Sequence, residues 1–185
     1  MAVLLVLTGP SGVGKGTVGR RLLEREPNLV WSVSATSRPA RAGEVDGVDY
    51  RFMTRDAFEQ LRREGGFLES FDVYGQLKGT LRAPVEEALA AGRDVLLEVD
   101  VQGAHAVRAA RPDAVLVFLE APSRAVQEQR LRARGTDDEA QIEARLANAD
   151  AEEAQADRFD AVVVNDDIDT AVAEVAAILE AHRSG

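Results

Sequence analysis

The sequence predicts an α/β fold, a parallel sheet covered by helices on both faces. Three observations lead to it. Runs rich in Val, Leu and Ile occupy residues 2–7, 94–98, 114–119 and 161–164, and they are apolar throughout rather than alternating, as strands buried on both faces are. Stretches with apolar residues three and four apart lie at 15–25, 84–91, 102–110 and 168–182 and read as helices. Strand and helix alternate along the chain, which implies crossover connections between parallel strands.

The 185 residues are enough for one compact unit, 1–185, with a real core and small inserted lobes. A hydrophobic share of 45% and a charged share of 29% suit a soluble globular protein. The net charge of −10 argues against nucleic acid and against an anionic membrane surface as partners. Anions can bind only where positive groups are gathered locally. With no cysteine there are no disulfides, zinc–thiolate sites or thiol catalysis. That suits a reducing compartment, and a cytoplasmic location is the default expectation. The opening MAVLLVL stops at Thr8, far short of the roughly 20 apolar residues a membrane span needs, so it reads as a buried strand.

The first strand runs directly into Gly9, Pro10, Ser11, Gly12, Val13 and Gly14, followed by Lys15, Gly16 and Thr17 at the head of the first helix. Strand, glycine-rich loop, lysine and helix in this register form a P-loop, and with the parallel sheet they predict a P-loop NTPase fold. Its backbone N–H groups and helix N-terminus converge on phosphate oxygens, and Lys15 supplies a mobile charge for the β- and γ-phosphates. The strict pattern places Ser or Thr directly after the lysine. Here Gly16 stands there, leaving Thr17 as the candidate hydroxyl for Mg. Glu98 and Asp100, ending the strand at 94–98, are candidates to hold Mg directly or through water; the alternative is that they merely cap the next helix.

Two segments break the alternation. Residues 34–81 hold SRPARAGEVDGVDYRF, a short helix at 55–63 and FLESFDVYG, and read as a small inserted lobe. Arg38 and Arg41 there, with Tyr50 nine residues on, make a candidate phosphate clamp, or else solvated surface arginines. Residues 123–156 form a second, strongly charged insert. In it Gly135 ends one helix and Thr136-Asp-Asp-Glu139 reads as a capping box opening the next. Arg130 and Arg134 are four apart and share a helix face, and Arg145 follows eleven later; Arg132 fits that face less well and reads as solvated. Trp31 is placed where the core passes into the first insert, and His105 and His182 read as packing or surface residues.

Behind GPSGVGKGT, the segments SVSATSRPARAGEVDGVDYRF, FLE, EVDVQG, RLRARGT and VVVNDD follow in order, and over almost the whole chain the sequence resembles guanylate kinases. The resemblance implies a P-loop core at 1–33, 82–122 and 157–185, a GMP-binding lobe of mixed strands and a short helix at 34–81, and a helical lid at 123–156. It implies transfer from ATP to GMP, and to dGMP, with Mg. It further implies that Arg38, Arg41 and Tyr50 hold the GMP phosphate. Ser34, Glu69, Thr80 and Asp100 would surround the base, with Gly79 and Glu98 beside them. Arg130, Arg134 and Arg145 would close on the transferring group, and Asn165 would lie on the adenine side.

Guanine chemistry agrees independently. Its N1–H and N2–H₂ are adjacent donors that one carboxylate, Glu69, can accept together, whereas adenine presents a bare acceptor at that edge. One departure stands out. The chain has twenty arginines but only two lysines, Lys15 and Lys78, and Lys78 stands where the family usually carries a tyrosine facing the GMP phosphate. Two other readings remain open on sequence: a related P-loop kinase acting on a ribosyl phosphate, and a non-catalytic guanylate-kinase-like module.

Overall fold

The computed structural model describes the chain except Tyr74, Arg134, Thr136, Asp137 and Gly185, and at Val73 the backbone only. The elements follow as β1 (Leu4–Thr8), α1 (Lys15–Arg25), β2 (Leu29–Trp31), β3 (Ala35–Thr36), β4 (Arg51–Phe52), α2 (Arg55–Arg63), β5 (Phe67–Val73), β6 (Gln76–Leu81) and α3 (Arg82–Ala90). Then come β7 (Asp94–Glu98), α4 (Val101–Ala110), β8 (Val115–Glu120), α5 (Arg124–Ala133), α6 (Glu139–Glu153), a 3₁₀ turn at Ala156–Arg158, β9 (Ala161–Val164) and α7 (Ile168–Ser184). None of the described helices is long and apolar enough to cross a membrane.

Five strands pair in parallel in the order β2-β7-β1-β8-β9. Side chains alternate across the sheet, so Leu5 and Leu7 pack with Val18 and Leu22 of α1 and Val172, Val175 and Leu179 of α7. Leu4 and Val6 face the other way, onto Val85 of α3 and Val101, Ala104 and Val107 of α4. Double-sided burial explains the unbroken apolar runs in the sequence. The edge strand β2 is not signalled in the sequence: three residues carry no periodicity, and it is the parallel register of Val30 with Val95 and Trp31 with Leu96 that defines it. Trp31 thus belongs to the core sheet, its ring against Gly19 of α1, just before the chain enters the lobe.

A second sheet, β4-β3-β6-β5, is mixed: β3 and β4 are parallel, while β6 is antiparallel to both its neighbours. It has its own small core, in which the Phe58 and Phe67 rings stack at 4.3 Å beside Leu77 and Leu81. The β5–β6 register slips between Phe67 and Glu69, a bulge that leaves Leu68 as the extra residue. As a result Phe67 enters the lobe core, Leu68 enters the main core, and Glu69 stands opposite Thr80.

The capping box of α6 lies two residues later than the sequence suggests. Asp138 accepts from the Gln141 backbone N–H (2.8 Å), and the Gln141 side chain accepts from Asp138 N–H (2.9 Å). Asp138 at the N-cap with Gln141 three on makes the reciprocal pair, which shifts the box off Thr136-to-Glu139; Thr136 itself lies outside the described residues. Gly135 adopts φ +62° just past the end of α5.

At the sheet's N-terminal edge, Asp94 is almost wholly buried and accepts from Val3 N–H (2.8 Å) and from Arg183 Nε and Nη2 (2.9 and 2.7 Å). Removing Arg183 leaves a buried carboxylate without its cation. Arg183→Ala should lower unfolding stability by roughly 2–3 kcal/mol, somewhat less than for a fully isolated buried charge because Val3 N–H and Asn28 Nδ2 (3.2 Å) remain. Urea unfolding would measure this, and a loss under about 0.5 kcal/mol would mean the pair behaves as a surface bridge.

Candidate active site

Parallel pairing brings the carboxyl ends of β1, β7 and β8 to one edge, the position where open α/β sheets bind ligands. The loop of residues 9–14 leaves β1 here, and the register sets Leu7 beside Glu98. Gly14 is the N-cap of α1 at φ +96°, and a Cβ on it would lie 2.5 Å from Asn165 Nδ2, so only glycine fits. Lys15 Nζ donates to the carbonyls of Gly9 (2.6 Å) and Pro10 (3.0 Å), which lays the ammonium over the loop.

The second insert braces this loop. Gln127 of α5 donates to Ser11 O (2.8 Å), Arg145 of α6 to Ser11 Oγ (3.1 Å), and Arg130 to Asn165 O (2.9 Å). Asn165 is buried and donates from its side chain to Val13 O (2.7 Å). A cleft of about 610 Å³ opens beside them, lined by Gly12, Gly14, Thr17, Arg130 and Asn165. Arg132 is exposed and pairs with Glu128 and Glu139 instead. Arg134 lies outside the described residues. Gln127 escapes sequence reading, although a glutamine four residues before the buried Leu131 is its signal: a polar side chain in the apolar stripe of α5.

The two carboxylates at the end of β7 differ. Asp100 caps α4, with Oδ1 accepting from Gly103 N–H at 2.7 Å. Glu98 faces the P-loop helix, its Oε2 lying 3.4 Å from where a Cβ on Gly16 would stand. Both line the lobe-side cavity, whereas Thr17 faces the cleft on the Asn165 side. Among the described residues no three His, Cys, Asp or Glu side chains converge. Glu152 of α6 is half-buried, and burial pushes its carboxyl up, opposed by Lys15 and reinforced by Asp100 and Glu153. Glu152 of α6 thus lies within electrostatic reach of Lys15.

Across from the P-loop, a cavity of about 180 Å³ gathers Ser34, Tyr50, Glu69, Lys78, Glu98 and Asp100. A wider cleft of about 460 Å³ shares Ser34, Tyr50 and Glu98 with it. Glu69 is 8% exposed and accepts from the Thr80 hydroxyl at 2.6 Å. Burial pushes its carboxyl above the ordinary range, the Thr80 hydrogen bond pulls it back, and nearby Asp100 pushes it up again. Gly79 lets the strands close: a Cβ there would lie 2.6 Å from Glu69 O. Arg38 is buried, with its fork on Glu44 at 2.6 and 2.6 Å and its Cζ 5.0 Å from the Tyr50 ring. Lys78 Nζ lies 5.5 Å from the same ring. Arg41 is exposed, and its backbone N–H donates to Glu44 Oε2 at 2.7 Å. Glu44 is the second residue missed; its signal is an acidic side chain six and three residues after Arg38 and Arg41.

A family model described as Guanylate kinase matches residues 1–182. The chain belongs to the guanylate kinase family. A guanylate kinase of Thermus thermophilus is 54% identical over 180 residues, 97% of this chain and 81% of that one. One of Carboxydothermus hydrogenoformans is 47% identical over 181 residues, 98% of this chain and 89% of its own. The crystal structure of guanylate kinase from Anaplasma phagocytophilum superposes with a TM-score of 0.76 at 34% identity, covering 97% of this chain and 85% of that one. A shikimate kinase from Bacteroides thetaiotaomicron, at 16% identity and a TM-score of 0.53 over 96% of this chain and 98% of its own, shares the fold. The expected α/β P-loop fold and the guanylate kinase resemblance are thus both found.

The raised carboxyl of Glu69 gives a signed prediction. A glutamate held above its ordinary 4.5 contributes stability that is complete below that value and lost as pH rises through the raised one. At neutral pH the ionised form therefore weighs against folding. Glu69→Gln should raise Tm at about pH 7, with the difference closing below about pH 4. A lower Tm at neutral pH would show the ionised carboxylate to be stabilising instead.

Proposed function

We propose that the P-loop holds the triphosphate of ATP, that the lobe cavity holds GMP, and that the phosphoryl group passes in line between them. Family membership fixes the overall reaction: the chain phosphorylates GMP at the expense of ATP, giving ADP and GDP. Neither a ribosyl-phosphate kinase nor a non-catalytic module is favoured by relatives of this likeness over nearly the full chain. The observation that carries the acceptor assignment is Glu69, a buried carboxylate steadied by Thr80 at the wall of the cavity facing the P-loop.

In this reading Glu69 accepts the two adjacent donors of guanine and repels the bare N1 of adenine, with Ser34, Thr80 and Asp100 around the base. Arg38, Arg41, Tyr50 and Lys78 hold the acceptor phosphate. That phosphate is already anionic at neutral pH, so the transfer needs positioning and charge neutralisation rather than a general base. Lys15 exchanges the Gly9 and Pro10 carbonyls for phosphate oxygens, and Arg130 and Arg145, already at Val13 O (3.5 Å) and Ser11 Oγ of the P-loop, neutralise the transferring group. We assign Arg134 to the same role and Asn165 to the adenine side. Residues 34–81 act as GMP lobe and 123–156 as lid, and their closure excludes water that would otherwise compete as acceptor.

Mg suits the oxygen-only set offered by Glu98 and Asp100, which would hold it chiefly through water; Thr17 stands on the other side of the loop helix. Bound there, the ion would neutralise phosphate charge.

A coupled ADP assay with GMP, dGMP, AMP and UMP at matched concentrations should give turnover with GMP and dGMP and little with the others. Equal rates with AMP would sink the Glu69 assignment. Lys78→Ala should raise the GMP KM several-fold and leave that of ATP nearly unchanged, and Lys78→Tyr should recover most of the loss. An unchanged GMP KM in Lys78→Ala would remove Lys78 from the phosphate site.

A further inference from the structure

We infer that Glu44 is a positioning residue for the acceptor phosphate, fixing the Arg38 guanidinium, and the backbone at Arg41, in the arrangement that receives it. This rests on the assignment of that phosphate to Arg38 and Arg41.

Glu44 makes three bonds across a six-residue loop. Oε1 accepts from Arg38 Nη2 (2.6 Å), and Oε2 accepts from Arg38 Nη1 (2.6 Å) and from the backbone N–H of Arg41 (2.7 Å). Pro39 O takes a further bond from Nη1 at 2.9 Å. A guanidinium has five N–H donors, so both on Nη1 and one on Nη2 are committed. The Nε–H and the second Nη2–H remain. They lie side by side on one edge, the spacing that grips two phosphate oxygens. A guanidinium held at its far end by two bonds cannot turn in place, so this edge keeps one direction. The Tyr50 ring at 5.0 Å and the Phe52 ring at 5.6 Å flank the group, and the Tyr50 hydroxyl also interacts with it.

An anion beside a phosphate site looks counterproductive, and the charge balance answers this. Arg38 is 8% exposed, so without a counter-charge it would be a buried lone cation. Once Glu44 has neutralised one charge, Arg41 and Lys78 still supply two positive charges to the phosphate end. The hydrogen bonds from Arg38 and from the Arg41 backbone hold the Glu44 carboxyl down to about 2, so it remains ionised wherever the enzyme would be assayed.

The alternative is that Glu44 is a stand-in anion that GMP must displace, and the two predict opposite signs. Glu44→Gln keeps the size but has a single acceptor oxygen. It should raise the GMP KM about tenfold, with kcat and the ATP KM within about twofold of wild type; the preserved ATP KM also reports an intact fold. In an Arg38→Lys background, where no fork remains to be oriented, Glu44→Gln should add less than about twofold. A lower GMP KM in Glu44→Gln would make Glu44 a competitor and overturn the inference. An undiminished effect in the Arg38→Lys background would overturn it too, by showing that Glu44 does not act through Arg38. If Arg38→Lys alone leaves the GMP KM unchanged, the phosphate assignment fails first and the role of Glu44 falls with it.

Discussion

Two polyanions have to be held within reach of each other by a chain whose own net charge is −10. Everything around the cleft answers that constraint. Repulsion between nucleotide phosphates, and between them and the protein's surplus carboxylates, can be offset only by positive groups concentrated at one edge. Parallel strand pairing supplies the edge, because every strand of the main sheet ends there and the P-loop leaves β1 at it. The two inserts carry further positive charge: Arg38, Arg41 and Lys78 in residues 34–81, Arg130 and Arg145 in residues 123–156. Several carboxylates near the cleft have a defined partner: Asp100 caps α4, Glu44 is bound to Arg38, and Glu69 accepts from Thr80.

Much of the scaffold was legible in the sequence because its signals are local. Unbroken apolar runs mark strands covered on both faces, and GPSGVGKGT announces its own strand–loop–helix setting. The residues 94–98, 161–164, 15–25 and 55–63 form the elements their patterns suggest. Features that depend on pairing were not legible. β2 is too short to carry a period, and the bulge at Leu68 exists only in relation to β6. The α6 capping box was misread by two residues, since DDEAQ offers more than one acid with a suitable partner downstream and only geometry selects Asp138 with Gln141.

The site divides in the same way. Lys15, the paired arginines and Glu69 were singled out from their type and spacing, and the structure places Lys15 over the loop of 9–14, Arg38 on Glu44 and Glu69 in the wall of the cavity across from that loop. Residues that act by holding others could not be singled out that way. Gln127 matters through Ser11, more than a hundred residues away, and Glu44 through the orientation of a guanidinium. Asn165, named for the adenine side, turns out to grip the P-loop through Val13, which the sequence had no means of showing.

The bulge in β5 also bears on leverage. Phe67 is packed in the lobe core and Leu68, the next residue, in the main core, so the two bodies are riveted together at that point. In any rotation of the lobe about this rivet, displacement grows with distance from it. Glu69, one residue away, has almost no lever arm, whereas the exposed loop carrying Arg41 and Val48 has a long one. The fold thereby separates two demands that one moving body would otherwise confound: under such a rotation Glu69 would stay put while the loop of Arg41 travelled.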